Sequence, residues 1–171
     1  MSACELESKT NKNDIALSTQ EPTRIVKPKI VEVCACNSLN NTGVEVRNGE
    51  KYIFQVEKIT EPWLDGVIRA NPHDGWIDAK WFGFMIWFLK RSNEAPWYGL
   101  VGTFDKASTQ SFAPLEYYDE KNAFTIDIHD KDKAELYLYA NDKEGRYFNN
   151  QGKLKLKITL LKNSPNKKDQ H

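Results

Sequence analysis

Short segments in which apolar and polar residues alternate recur along most of this chain, with turn residues between them. Strict alternation is the period of a half-buried β-strand. The predicted strands are residues 29–36, 44–46, 51–57, 81–90, 97–104, 124–128, 135–140 and 153–161, with a short edge strand at 116–118. No run of ten or more residues has a convincing helical period free of Gly and Pro. This succession predicts an all-β fold, an antiparallel β-sandwich of jelly-roll type with about eight strands.

The folded part of the chain is expected to be one domain. Residues 1–27 are polar and have no clear period, which is typical of a flexible arm. Residues 28–163 form the predicted sandwich domain, and residues 164–171 form a polar tail. Inside the domain, residues 61–78 contain two Pro and two Gly, and we expect a long, structured loop there.

Residues 81–89 (WFGFMIWFL) are the longest apolar run in the sequence. Nine residues are too few for a transmembrane helix, which needs about 20. The aromatic content and the surrounding Gly and Pro favour a buried strand, and no transmembrane segment is predicted.

The charge balance argues against a nucleic-acid partner. Lys and Arg together number 24, as do Asp and Glu, whereas a nucleic-acid binder usually shows a basic excess or a basic stripe. The lysines near the end alternate with apolar residues over 153–158, as expected for the polar face of a strand.

The three cysteines give two separate predictions. Cys34 and Cys36 fall on one face of a predicted strand, where a bridge would be strained, so we expect two small apolar residues inside a strand. Cys4 follows Met1-Ser2-Ala3, which resembles the end of a bacterial lipoprotein signal, although the apolar stretch of such a signal is missing. Lipidation at Cys4 would give a membrane anchor and place the protein in the bacterial cell envelope as a periplasmic lipoprotein. Extracellular and cytoplasmic locations stay open.

The loop at residues 141–152 is rich in oxygen-bearing side chains. Asp142, Asn149 and Asn150 supply one carboxylate and two amide oxygens, which are ligands that calcium accepts. The same residue types also build ordinary turns, so composition alone leaves both interpretations open.

The segment over residues 136–158 most strongly resembles the C-terminal signature of the PA-I-like galactophilic lectins, a family of bacterial sugar-binding proteins. In that signature, Asn-Asp is followed by Gly-x-Tyr, one residue, Asn-Asn, one residue and Gly, and then by an alternating strand. Here these positions are Asn141-Asp142, Gly145-Arg146-Tyr147, Asn149-Asn150 and Gly152. Weaker similarity extends over roughly residues 30–160, at 41–50 and 98–102.

The resemblance implies a small β-sandwich whose single calcium ion coordinates neighbouring sugar hydroxyls. It implies side-chain ligands at Asp142, Asn149 and Asn150, a backbone carbonyl ligand at Arg146, and another carbonyl near residues 63–65. Two departures stand out. The family has a small polar residue where this chain has Arg146, and its sugar-contacting His-Pro-Asp-Gln loop has only Pro72-His73-Asp74 as a counterpart.

Four further residues are candidates for ligand contact. Trp63 and Trp76 lie in the predicted loop and could stack on a sugar ring, while His73 and Asp74 could make polar contacts. No nucleophile elbow, phosphate-binding Gly loop or HExxH motif is present, so an enzyme is not predicted.

The predicted function is a calcium-dependent, lectin-like carbohydrate-binding domain. The alternative is an envelope lipoprotein or protein-interaction domain on the same sandwich that has lost sugar binding. The partner is therefore a carbohydrate or a protein, and the oligomeric state stays open.

Overall fold

The computed structural model describes residues 22–106, 110–114 and 123–161. The predictions for Cys4, for the tail at 164–171 and for an edge strand at 116–118 concern residues outside those ranges. The described ranges contain eleven strands, one α-helix and two 3₁₀ helices. Their bounds are β1 Thr23–Arg24, β2 Lys29–Cys34, β3 Asn40–Arg47, β4 Lys51–Asp65, β5 Ile68–Asn71, β6 Gly75–Trp76, α1 Lys80–Met85, the first 3₁₀ helix Trp87–Leu89, β7 Leu100–Phe104, β8 Ser111–Phe112, β9 Phe124–Thr125, β10 Lys133–Ala140, the second 3₁₀ helix Tyr147–Asn149, and β11 Asn150–Leu161.

The strands form two packed sheets, which confirms the predicted all-β sandwich. One sheet has the order β1-β3-β10-β7-β8, and the other has the order β2-β11-β4-β5-β6, with β9 paired to β4. The pairs are antiparallel except β1 with β3, which is parallel. Among the described residues, no helix combines the length and apolar character needed to cross a membrane.

Alternation along the long strands builds the core between the sheets. In β11, Leu154, Leu156 and Ile158 are fully buried, while the three lysines between and before them are exposed or partly exposed. The central strand β10 contributes Leu136 and Leu138 from the opposite sheet. Burial of such side chains stabilises the fold by about 1.5–3 kcal/mol each.

The prediction of a long loop over residues 61–78 was wrong for most of its length. Strand β4 runs on to Asp65, and β5 and β6 follow within the same segment. The tight turn at Gly66, where φ is +58°, pairs β4 with β5. The Pro and Gly residues therefore mark turns between short strands.

The buried strand predicted over residues 81–90 is also wrong. The segment forms α1 and the first 3₁₀ helix, and most of its large side chains are exposed. The inner side of α1 packs on two tryptophans, because Phe82 stacks on Trp76 with ring centroids 6.2 Å apart and Gly83 lies against Trp97. These tertiary contacts favour helix over the strand that an apolar run alone suggests.

Two findings change the predicted boundaries and the cysteine interpretation. Strand β1 lies inside the segment expected to be a flexible arm, so the sheet begins earlier than residue 28. Cys34 and Cys36 form a disulfide, which corrects the prediction of two separate apolar side chains. Strand β2 ends at Cys34 and the chain then turns, which brings the two Cα atoms to 5.3 Å, a separation that a disulfide spans.

Candidate functional site

The loop between β10 and β11 begins with a residue that organises its neighbours. The buried Asn141 amide donates to the carbonyl oxygens of Ser92 and Ala95, both at 2.8 Å, and its side-chain oxygen accepts from the Ser92 N–H at 2.9 Å. Both the nitrogen and the oxygen of this side-chain amide are thus hydrogen-bonded to backbone groups. Asn141 therefore fixes the loop against residues 92–96 and leaves the next residue to face the site.

Asp142 presents a buried oxygen that lacks a protein partner. Its Oδ1 atom accepts from the Lys143 N–H at 2.6 Å, whereas Oδ2 is buried without a hydrogen bond. Burial raises the pKa of this carboxyl, and the nearby charge of Arg146 only partly offsets the rise. A buried oxygen with unused lone pairs costs stability unless something binds it.

Asn150, the first residue of β11, offers a second such oxygen next to the first. Its side-chain nitrogen donates to the Ala35 carbonyl at 3.3 Å, while Oδ1 is buried and without a partner. The Asn150 amide also contributes to lowering the pKa of Asp142, which shows that the two side chains are neighbours. The structure thus brings two predicted ligands together, and each has one buried oxygen without a hydrogen-bond partner.

Asp65, at the end of β4, adds a second carboxylate that the sequence analysis did not name as a side-chain ligand. It is the register partner of Asn150 across β4 and β11, and its Oδ1 accepts from the Asn149 side-chain nitrogen at 2.7 Å. Burial first, and then the charge of Asp142, raise the pKa of Asp65. Because Asp65 lies far from the 141–150 loop in the sequence, its place in the site could have been predicted only from the register of β4 with β11.

Arg146 lies on the rim of the site. Its side chain is exposed, and it takes part in no ion pair among the described residues. It directly precedes the second 3₁₀ helix, and the backbone carbonyl ligand expected at this residue stays a prediction. The exposed side chain influences Asp142 through its charge.

Asp65, Asp142 and Arg146 line an open cavity of about 460 Å³, which we call the site cavity. Its lining combines polar groups from the loop with an apolar wall. The lining residues are Asp65, Trp76, Ile86, Leu89, Trp97, Asp142, Lys143, Arg146, Phe148 and Asn149. Two carboxylates and the Asn149 amide, with two tryptophan rings in the same lining, can hold a cation and an adjacent ring-shaped polar ligand.

The four residues predicted to contact a ligand lie in different parts of the structure. Trp63 is buried in the core and its indole N–H donates to the Tyr98 carbonyl at 2.9 Å, so its prediction as an exposed stacking residue in a loop was wrong. Trp76 is also mostly buried, yet it lines the site cavity and stacks on Trp97 at 5.0 Å. Its indole N–H is buried without a properly aligned hydrogen bond, but it lies close enough to Asp65 to lower the pKa of that carboxyl.

His73 and Asp74 lie in the turn between β5 and β6, outside the site cavity. Their side chains pair with each other, His73 Nδ1 to Asp74 Oδ1, at 3.0 Å. Asp74 lines a second cavity of about 310 Å³ that shares the Trp76 and Trp97 walls with the first. The structure thus places Asp74 in the second cavity, and neither His73 nor Asp74 lines the site cavity that contains Asp142.

The donor set fits calcium better than a transition metal. No group of three or more His, Cys, Asp or Glu able to hold a metal occurs in the part of the chain that the structure describes. Hard oxygen ligands from two carboxylates and amide carbonyls suit calcium, which also accepts backbone carbonyls and leaves positions for other oxygens.

Comparison with known proteins gives the fold. No protein-family model matches the chain, and no curated protein matches it. A solved structure described as "EclA N-terminal domain; PllA-like lectin" superposes with a TM-score of 0.50 at 18% sequence identity, covering 77% of this chain and 95% of that chain. This likeness shows that the chain has a lectin-like β-sandwich fold.

Proposed function

We propose that this domain binds carbohydrate through a calcium ion held at the site cavity. The observation that carries the proposal is the pair of buried oxygens, Asp142 Oδ2 and Asn150 Oδ1, that have no hydrogen-bond partner. A folded protein rarely leaves such atoms unpaired, and an ion or a water molecule is commonly their partner. The lectin-like fold of the structural neighbour supports the same ligand class.

Five residues would hold the ion. Asp142, Asn149 and Asn150 would contribute side-chain oxygens and Arg146 its backbone carbonyl, as the sequence predicts. Asp65 would add a second carboxylate in place of, or beside, the backbone carbonyl expected near residues 63–65. When bound, calcium supplies open coordination positions that accept two neighbouring sugar hydroxyls.

The chain itself would contribute orientation and exclusion of water. The hydrogen bonds of Asn141 hold the loop in place, so little ordering remains to be done when a ligand arrives. The Trp76 and Trp97 rings form the apolar wall on which a sugar ring could lie.

A glycan array read in calcium and again in chelator tests the proposal. We expect binding in calcium only, to glycans that present vicinal hydroxyls, and loss of that binding in Asp142→Asn. The matched control is Asp130→Asn, because Asp130 is exposed in a turn with φ of +59°, which Asn tolerates. Equal glycan binding in calcium and chelator would refute the role of the ion. Calcium binding measured by calorimetry without any glycan binding would refute the carbohydrate ligand and retain the ion site.

A further inference from the structure

An exposed apolar surface lies next to the site cavity. It comprises residues 77–89, which we call the aromatic segment, and it contains seven of the twelve large hydrophobic side chains that are exposed in the described residues. They are Ile77, Trp81, Phe82, Met85, Trp87, Phe88 and Leu89. Scattered exposed hydrophobics are ordinary, but a contiguous group of this size usually marks a contact surface.

The aromatic segment is anchored to the domain on its inner side. The Trp97 indole N–H donates to the Gly83 carbonyl at 3.0 Å, and the Phe82 ring stacks on Trp76. The outer side points away from the sandwich, where Trp81 is 71% exposed and Met85, one helical turn later, is 62% exposed. The surface is therefore a fixed feature of the fold.

Basic residues predominate after Asp78 in this region. Between Asp78 and Glu94 the sequence contains Lys80, Lys90 and Arg91 and no acidic residue. Asp78 itself is paired with Arg69 at 2.9 Å. A surface of exposed Trp and Phe flanked by lysines suits the interface of an anionic lipid bilayer, where aromatic rings lie at headgroup level and basic groups face the lipid phosphates.

The positions of the lysines support this match. Lys80, Lys90 and Trp87 line one cavity of about 310 Å³ together with Asp74, so the basic side chains lie beside an exposed ring. The Lys90 ammonium donates to the Ala95 carbonyl at 2.8 Å, while the exposed Lys80 has no ion pair among the described residues.

The same composition continues on the β10–β11 loop. Phe148 is 70% exposed and lines the site cavity with the basic residues Lys143 and Arg146, while the acids of that loop are the buried Asp142 and the exposed Glu144. The aromatic surface therefore extends around the mouth of the site cavity.

We propose that the aromatic segment and Phe148 dock on an anionic lipid surface, by inserting their rings into the headgroup region without crossing the bilayer. This docking goes beyond the proposed sugar binding and does not depend on it. It would turn the mouth of the site cavity toward the membrane.

Vesicle binding tests the proposal in chelator, so that the calcium site plays no part. The full-length chain is mixed with vesicles of phosphatidylcholine alone or with phosphatidylglycerol, and binding is measured by sedimentation and by the blue shift of tryptophan emission. We expect binding to the phosphatidylglycerol vesicles that weakens with salt. Trp87→Ser with Phe88→Ser should reduce that binding about tenfold or more, since each ring loses its apolar burial.

The control removes two exposed apolar side chains elsewhere, Val26→Ser with Ile30→Ser, and should leave vesicle binding unchanged. Trp81→Ser with Met85→Ser repeats the test on α1, and melting temperatures show that each variant is folded. Absence of wild-type binding, or equal binding by the Trp87 and Phe88 variant, would overturn the proposal. A wild-type dimer by analytical ultracentrifugation that becomes monomeric in the Trp87 and Phe88 variant, without vesicle binding, would instead assign the surface to a second copy of the chain.

Discussion

Replacing Asp65 by Asn should have opposite effects on the ion-free and the calcium-bound protein. In the ion-free protein, burial and the charge of Asp142 both disfavour the ionised Asp65 carboxyl, and its pKa is raised. Leaving a buried polar group poorly satisfied costs about 1–3 kcal/mol, and Asp65 keeps one hydrogen bond, so we expect neutralisation to stabilise the ion-free protein by about 1 kcal/mol. For a domain of this size that corresponds to a rise in melting temperature of about 4 °C.

Calcium should reverse the order of the two proteins. Removing one partner of a buried charge pair costs about 3 kcal/mol, which weakens binding about 100-fold. At a calcium concentration 100 times the wild-type Kd, mass action stabilises the wild type by about 2.7 kcal/mol but the variant by only about 0.4 kcal/mol. The wild-type melting temperature should then rise by about 11 °C and that of Asp65→Asn by about 2 °C.

Differential scanning calorimetry in chelator and in calcium measures both effects, with Asp130→Asn as the exposed control. We expect the melting temperature of Asp65→Asn to be higher than that of the wild type in chelator and lower than that of the wild type in calcium. If Asp65→Asn melts lower than the wild type in chelator, the claim that this partly buried carboxylate destabilises the ion-free protein is wrong. If its calcium shift equals that of the wild type, Asp65 is not a ligand.

Three further predictions concern pH, backbone strain and the disulfide. The pKa values of the partly buried Asp65 and the buried Asp142 are raised, so the contribution of these two groups to the stability of the ion-free protein should rise as pH falls from neutral through their folded pKa values. Calcium binding should be lost over the same range, above the ordinary aspartate pKa of about 3.9. Melting curves of the wild type and of Asp65→Asn against pH check both signs. Gly152→Ala should destabilise the protein by about 2 kcal/mol or more in urea unfolding, because φ is +119° and a Cβ there would lie 2.5 Å from a backbone oxygen of β4. The control Gly49→Ala should lower the free energy of unfolding by less, because Gly49 also has a positive φ but open space around it. Reduction of the Cys34–Cys36 disulfide should weaken calcium binding about 2–10-fold in a calorimetric titration, because the carbonyl between the two cysteines holds the Asn150 amide.

Alternation predicted several strands well because their side chains face a core on one side and solvent on the other, whereas the longest strand, β4, was predicted only over residues 51–57. Strands β2, β10 and β11 lie close to their predicted bounds. The prediction of a buried strand from the apolar run at 81–89 was wrong because this run has no alternation. A continuous apolar sequence indicates burial without specifying helix or strand, and here the run is largely exposed, so neither its structure nor its burial follows from its composition.

The candidate site was predictable only where it is local in sequence. Asp142, Asn149 and Asn150 come from one loop, and the resemblance to a lectin signature singled them out. Asp65 is separated from them by most of the domain and enters the site through the pairing of β4 with β11. Trp63 and Trp76 lie close together in sequence, yet one is a core residue and the other lines the site cavity, because a turn at Gly66 separates their strands.

The position of Asn141 links the two surfaces that we propose to bind ligands. Its amide holds the backbone at Ser92 and Ala95, and the Asp142 carbonyl accepts from the Arg91 N–H at 3.1 Å. Residues 91–96 follow directly after the aromatic segment, so one network of buried hydrogen bonds fixes both that segment and the loop that carries Asp142. Movement of either would break bonds in a buried network, which is costly. A lipid surface that engaged the aromatic segment would therefore meet a site cavity already set in position, and the orientation of the bound domain would decide which glycans can reach it.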